Sequence, residues 1–501
     1  MNIKEAKQQI KNAITAYLSR DALGEYEIPL GQQRPVFLLG APGIGKTAIM
    51  SQIAQELGIG LVAYSMTHHT RQSALGLPQL STREYGGRSV TVTQYTMSEI
   101  IAAVYDTMER TGVREGILFL DEINCVSETL MPSMLQFLQF KTFGQHRVPD
   151  GWIIVTAGNP PAYNRSVREF DVVTLDRLKR IVVEPDYDVW KEYALARQVH
   201  PAVLTYLDVR KDNFYRVESS VSGKQFVTAR GWEDLSRMLR VCEKHGLSVD
   251  ENLIGQYLQS DRICADFSTY YALFQKYSAD YAIEDILARN APEAVIERAR
   301  AARFDERYAL LGLLIDRMTG ELRRALLMQD ALGGVLSALK AVKSALEQGD
   351  ALSLLQEQAR ALAAQLKSAS EAGALSADRR AALQQTAALL REMEPLCAGK
   401  SAGEAYAALC GDFARRLDAH RTDVRRAGEA LEHLFSFCER AFAGGQEMLI
   451  LVTELTVSPF GARFISLFGC EAYFAHNRDL LFYERRKEIA GQLDTLDLSA
   501  L

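Results

Sequence analysis

Two kinds of hydrophobic pattern follow one another along the chain, and the change falls between residues 185 and 250. Before it, short continuous apolar runs recur: Val36-Phe37-Leu38-Leu39, Leu61-Val62-Ala63-Tyr64-Ser65-Met66, Ile117-Leu118-Phe119-Leu120, Trp152-Ile153-Ile154-Val155-Thr156-Ala157 and Ile181-Val182-Val183-Glu184. Runs this short, bounded by glycine and polar residues, predict buried strands. Between them the apolar positions take helical spacing over 48–57, 98–110 and 127–140, with Gly58 as a stop and Ser98 as an N-cap. A further amphipathic helix over 3–19 carries Ile3, Ala6, Ile10, Ile14 and Leu18 on one side. Strands alternating with helices predict a mostly parallel α/β sheet. Ser89–Tyr95 predicts one more short strand, 68–88 an irregular polar segment, and 141–151 a turn or small hairpin.

After Pro185 the pattern becomes helical, with candidates at 187–199, 201–206 and 232–244, the last opened by Thr228-Ala229-Arg230-Gly231. A polar stretch at 209–225 interrupts them as a small hairpin. Beyond 250 the strand signal is almost gone. Residues 306–347 carry an apolar stripe through Leu322, Leu326, Leu332, Val335, Leu339, Val342 and Leu346. The Ala- and Leu-rich section 333–445, broken at Gly349-Asp350, Gly373, Pro395 and Gly399, predicts long packed helices or an antiparallel helical arm. Residues 457–501 read as shorter helices whose aromatics, Phe460, Phe464, Phe468, Tyr473, Phe474, Phe482 and Tyr483, are expected in core packing.

The chemistry concentrates at the ends of the predicted strands. Gly40-Ala41-Pro42-Gly43-Ile44-Gly45-Lys46-Thr47 follows the first run and opens the helix beginning at Ala48, and it fits G-x-x-x-x-G-K-[ST] at every position. Glycines let the backbone turn its N–H groups inward, where phosphate oxygens sit at the positive end of a helix. Lys46 then brings a mobile charge to the outer phosphates, and the Thr47 hydroxyl suits Mg²⁺. The run 117–120 ends in Asp121-Glu122, one carboxylate placed to hold the water shell of Mg²⁺ and the next to polarise an attacking water. The run 152–157 leads into Gly158-Asn159-Pro160-Pro161; Asn159 reads either as a turn residue or as an amide that senses a terminal phosphate. His68-His69 lacks a nearby Cys or Glu set to complete a metal site, so a substrate- or partner-contacting loop is the preferred reading, and His146 is a candidate for the same surface.

Composition narrows the setting. The 501 residues are 48% hydrophobic and 24% charged, ordinary for a globular chain of two or three domains. A net charge of −6 leaves no electrostatic footprint for general nucleic-acid binding, so no nucleic-acid partner is expected. Seven scattered cysteines without a C-x-x-C pair argue against a disulfide framework and for a reducing, cytoplasmic setting. No apolar run is long enough to span a bilayer, and no signal peptide is evident, so no membrane association is expected.

Taken in order, GAPGIGKT, GILFLDEIN (116–124), VTAGNPPAYN (155–164), TLDRLKR (174–180) and FVTARGWEDLS (226–236) resemble an AAA+ ATPase, and more closely its MoxR branch, over about residues 1–245. The resemblance implies a P-loop NTPase core over 1–187, a helical lid over 188–260 and a separate all-α C-terminal domain over 261–501. It implies ATP and Mg²⁺, with Gly40, Ala41, Pro42, Gly43, Ile44, Gly45, Lys46, Thr47, Ala48 and Arg230 at the nucleotide, and Thr47 and Asp121 at the metal. Glu122 would be the catalytic carboxylate, Asn159 sensor 1 and Arg230 sensor 2. Arg177 is the best match for an arginine finger acting on a neighbouring subunit, ahead of Arg165, Arg168 and Arg180. Residues 67–97 and 141–151 would supply loops facing a pore or partner, in a homo-oligomeric, usually hexameric ring. A protein client and a separate von Willebrand A domain protein are the implied partners. The long helical second half departs from a minimal MoxR chain and keeps two other readings open: a nucleotide-gated binding scaffold with slow turnover, and, less favoured, a DNA-handling machine.

Overall fold

The computed structural model describes residues 1–68, 74, 76–163, 167–220, 223–346, 350–371, 375–443 and 445–478. The chain divides into two compact units, residues 1–189 with 360–384, and residues 190–359 with 385–478 of the described chain.

The first unit is built on a five-stranded parallel sheet. Its strands are β1 (Val36–Gly40), β2 (Gly60–Ser65), β5 (Gly116–Asp121), β8 (Trp152–Gly158) and β9 (Lys179–Val183), in the order β2-β5-β8-β1-β9. All five predicted runs are therefore strands of one sheet. Continuous apolar sequence suits them because a parallel sheet is covered by helices on both faces, and every residue of β8 is buried. The register pairs Ser65 with Asp121, Leu120 with Thr156, Leu39 with Gly158 and Gly40 with Val183. The carboxyl ends of β1, β5 and β8 thus lie along one edge. Gly40 is required where β1 and β9 approach: a Cβ there would sit 2.9 Å from the Val183 carbonyl oxygen.

Helices α1 (Ile3–Leu18), α2 (Lys46–Leu57), α3 (Glu99–Thr111), α4 (Met131–Phe140) and α5 (Val172–Asp176) accompany the sheet. A capping box between Asn2 and Glu5 starts α1, which buries Ala6, Ile10, Ala13, Ile14 and Tyr17 at helical spacing. Gly58, left-handed at φ 67°, ends α2 as its sequence predicts. Ser98 precedes α3 but makes no side-chain cap, and its buried Oγ has no partner among the described residues. The helix expected over 127–140 begins at Met131.

The segment 68–88, expected to be irregular, differs most. Pro78–Tyr85 is a full strand (β3) paired antiparallel with β4 (Arg88–Tyr95). Gly86 and Gly87 form the two-residue turn, both at positive φ (58° and 79°), the geometry that matches the twist of a hairpin. The turn signal was present; the alternation was obscured because both faces are largely exposed. The predicted turn at 141–151 is a small hairpin of β6 (Thr142–Phe143) and β7 (His146–Arg147). His146 Nε2 lies 2.9 Å from the Tyr95 carbonyl oxygen, so the two hairpins adjoin. Residues 360–384 also belong to this unit, and Gln55 of α2 donates to the Leu375 carbonyl (3.2 Å).

The second unit begins within α6 (Tyr187–Ala196) and is helical apart from the hairpin of β10 (Arg216–Ser220) and β11 (Gly223–Val227). Its shorter helices are α7 (Pro201–Val209), α8 (Ala229–His245), α9 (Glu251–Gly255), α10 (Asp261–Asp280), α11 (Ile283–Leu287) and α12 (Glu293–Ala301). The predicted stripe forms α13 (Phe304–Ala345), 42 residues long. After it come α14 (Ala351–Glu371) and α15 (Ala377–Met393), whose residues within 360–384 belong to the first unit, and then α16 (Ala402–Phe442), α17 (Gln446–Val457) and α18 (Pro459–Phe468). By composition α13 is long and apolar enough to cross a bilayer. Its Leu310, Leu314, Met318 and Leu322 are instead fully buried in one protein core with Leu431, Phe435, Leu451 and Phe464 of α16 to α18. Of the C-terminal aromatics, Phe460, Phe464 and Tyr473 are buried, while Phe468 and Phe474 are exposed; Phe482 and Tyr483 lie outside the described residues.

Candidate nucleotide site

The loop between β1 and α2 is shaped by its glycines. Gly43 (φ 74°) and Gly45 (φ 92°) hold left-handed backbone that side chains resist, and Gly45 is the N-cap of α2. Successive turns of this hand direct backbone N–H groups into a concavity at the helix's positive end, which is an anion cradle. Ala41 and Ile44 are buried against the sheet while Pro42 and Gly43 are half-buried, and Thr47 and Ala48 open to solvent on the first turn of α2.

Lys46 is 8% exposed. Its Nζ donates to the Gly40 and Ala41 carbonyl oxygens (both 2.8 Å) and to Asn159 Oδ1 (2.9 Å). The ammonium is thereby held between the loop and the end of β8. Thr47 Oγ1 donates to Asp121 Oδ2 (2.8 Å), joining the loop to the end of β5. A hydroxyl and a carboxylate in contact are the hard oxygen donors that Mg²⁺ takes, and one or two protein oxygens suffice when phosphates supply others. The donor set therefore fits the ion.

Glu122 follows Asp121 in the left-handed region (φ 56°), an uncommon conformation for a residue with a side chain. Its N–H donates to Asp121 Oδ1 (2.9 Å), so one carboxylate oxygen of Asp121 braces the turn while the other faces Thr47. The turn continues as a 3₁₀ segment, Ile123–Cys125. Burial, followed by the nearby Glu122 and Asp121 charges, pushes the Cys125 thiol above its usual range, which makes it a poor nucleophile.

The structure thus brings Lys46, Thr47, Asp121 and Asn159 together and places Glu122 beside them. Arg177 caps the C-terminus of α5, is exposed, and donates through Nη1 to Gln139 Oε1 (2.6 Å). Arg168 pairs with Glu128 (2.6 Å), Arg180 is exposed on β9, and Arg165 lies outside the described residues. Arg230 is exposed in the first turn of α8, within the second unit. His69 and the side chain of His68 fall outside what is described. One residue close to this centre carries no role in the sequence reading: Asn124, 3% exposed, donates through Nδ2 to the Asn159 carbonyl oxygen (2.8 Å). A lone amide just after the acidic pair, among apolar neighbours, was its signal.

With this geometry in hand, comparison with known families is specific. Residues 36–174 match the family described as ATPase family associated with various cellular activities (AAA). The match begins at β1 and ends within α5, so it takes in the P-loop, the Asp121-Glu122 turn and Asn159. The chain carries an AAA ATPase domain on its parallel sheet, followed by a helical second half. No curated protein matches the chain.

Proposed function

We propose that the chain is a MoxR-type AAA+ ATPase that hydrolyses ATP with Mg²⁺ and uses the subunit motion to remodel or mature a protein client. The observation that carries the reading is the convergence of Lys46, Thr47, Asp121 and Asn159 from β1, β5 and β8 onto the glycine loop. In this reading the loop N–H groups and Lys46 bind the phosphates of ATP. Thr47 and Asp121 hold Mg²⁺, which when bound offsets phosphate charge. Glu122 accepts a proton from the attacking water, and Asn159 holds that water and the terminal phosphate in line. Arg177, exposed at the end of α5, serves the site of the next copy, and Arg230 is assigned to the nucleotide as sensor 2.

AAA domains typically assemble as rings, and a hexamer of this cytoplasmic chain follows from the MoxR reading. The β3–β4 hairpin supports a client-facing role: Leu80 and Tyr85 are 74% and 55% exposed, an apolar display that the fold of this unit does not use. A separate von Willebrand A domain protein is the proposed partner.

The test is steady-state phosphate release by the full chain with Mg²⁺ and ATP, alongside Glu122→Gln. Wild-type chain is expected to turn over. Glu122→Gln is expected to bind ATP with near wild-type affinity and to lose about a hundredfold or more of kcat. Equal turnover by the two would remove Glu122 from its role. A wild-type chain that binds ATP and shows no hydrolysis, alone or with its partner, would favour the nucleotide-gated scaffold instead.

A further inference from the structure

Asn124 sits between the two arms of the site. Its side chain is buried, its amide donates to the carbonyl oxygen of Asn159, and its own carbonyl accepts the backbone N–H of Arg168 (2.9 Å). Asn159 in turn receives Lys46 Nζ on its side-chain oxygen. A continuous path therefore runs from the Lys46 ammonium through the Asn159 side chain and its peptide carbonyl to the turn that carries Asp121 and Glu122.

The carbonyl that Asn124 holds belongs to the Asn159-Pro160 peptide. The proline ring already restricts Asn159 to extended backbone, and the bond from Asn124 selects the orientation of the peptide plane within that range. The same bond anchors the backbone from which the Asn159 side chain projects toward Lys46 Nζ.

Two further observations show that the contact is specific. The other amide atom, Asn124 Oδ1, has no hydrogen-bond partner among the described residues. An apolar side chain would not carry that cost, but it would lose the bond to Asn159. Gly158 completes the fit: a Cβ at that position would lie 2.4 Å from Asn124 Oδ1, so only glycine lets the end of β8 close on the amide.

We propose that Asn124 is a positioning residue for ATP hydrolysis, acting through Asn159, and that Gly158 is the glycine its seat requires. The inference rests on the ATPase reading above. Asn124 touches neither the phosphates nor the attacking water in it; it holds the group that does.

The experiment measures kcat, KM and ATP affinity for the full-length chain and for Asn124→Ala, Gly158→Ala, Asn159→Ala and the Asn124→Ala/Asn159→Ala double variant, with melting temperatures. Asn124→Ser stands in should Asn124→Ala not fold. A small misplacement of a catalytic group lowers turnover by about ten- to a hundredfold, and a loss in that range is expected for Asn124→Ala and Gly158→Ala. ATP affinity should stay within about threefold, because the P-loop is untouched. Asn124→Ala should not lower the melting temperature, and the double variant should be no slower than Asn159→Ala alone. Undiminished kcat in Asn124→Ala, multiplicative losses in the double variant, or a loss in Asn124→Ala that is matched by a fall in its own melting temperature would each overturn the inference. Absence of turnover in the wild-type chain would overturn the ATPase reading and this inference together, whereas turnover in wild type with undiminished turnover in Asn124→Ala would overturn the inference alone.

Discussion

Lys141 offers the sharpest test of the physics of the first unit. It ends α4 in the left-handed region (φ 56°), opens the β6–β7 hairpin, and is 6% exposed. Its Nζ donates to Gln33 Oε1 (2.9 Å), while Gln33 Nε2 donates to the carbonyls of Tyr17 (2.9 Å) and Ile28 (3.1 Å). Burial lowers the Lys141 pKa from 10.5 to about 8; the Arg147 charge adds to that and Asp150 opposes it. The sign follows from proton counting. Between those two values the unfolded chain binds a proton that the folded chain does not, so stability rises with pH across the window. At about 1.4 kcal/mol per pKa unit, the buried charge costs roughly 3 kcal/mol at neutral pH, and about 2 kcal/mol of that is relieved between about pH 7.5 and about pH 10. Lys141→Met removes the titration and leaves Gln33 Oε1 unpaired, a pH-independent cost of about 1–3 kcal/mol. Urea unfolding of both proteins at the two pH values isolates the effect, since all other titrations cancel in the difference. Wild type should gain about 2 kcal/mol on the variant as pH rises. A difference that stays flat, or moves the other way, would refute the reasoning.

Three other outcomes follow from contacts elsewhere. Gly116→Ala would place a Cβ 2.7 Å from the Trp152 ring, which is fully packed, so thermal unfolding should register a loss of about 1–3 kcal/mol; an unchanged melting temperature would contradict the packing. In the second unit Lys191 is shared between Asp208 (2.9 Å) and Glu454, and although burial opposes its charge, the two carboxylates outweigh that and hold its pKa above the usual value. Lys191→Met takes the cation from both carboxylates in a largely buried setting, leaving Asp208 the Tyr308 hydroxyl (2.7 Å), and should cost about 3–5 kcal/mol in urea unfolding; a loss below about 1 kcal/mol would mean water already screens the cluster. For Arg177, whose guanidinium faces outward to Gln139, inactive Arg177→Ala and inactive Glu122→Gln subunits should recover turnover when mixed, and failure to recover it would count against action on a neighbouring copy.

Much of the site was legible because its parts are local. A strand, a glycine loop and a helix start occupy Val36 to Leu57 without interruption, and φ values of 74° and 92° at Gly43 and Gly45 are the reason glycine stands there. Asp121 and Glu122 are neighbours at a strand end, so their placement needs only the strand. The β3 strand escaped because a two-sided, exposed hairpin carries no buried face to imprint alternation, leaving Gly86-Gly87 as its one strong mark. Asn124 escaped because its meaning depends on Asn159, which is 35 residues away.

By itself, then, the amino-acid order determined the elements and the chemistry each strand end carries, because backbone conformation and burial pattern are properties of short windows. Only the tertiary structure decided which ends meet. Strand order β2-β5-β8-β1-β9 sets β8 beside β1 and β5, and so closes Thr47 on Asp121 across 74 residues and Lys46 on Asn159 across 113. It also brought residues 360–384 into the unit that holds the P-loop helix, where Gln55 meets Leu375 across 320 residues. Pairings over such separations depend on which surfaces bury one another once the chain collapses, and no window of sequence contains both partners.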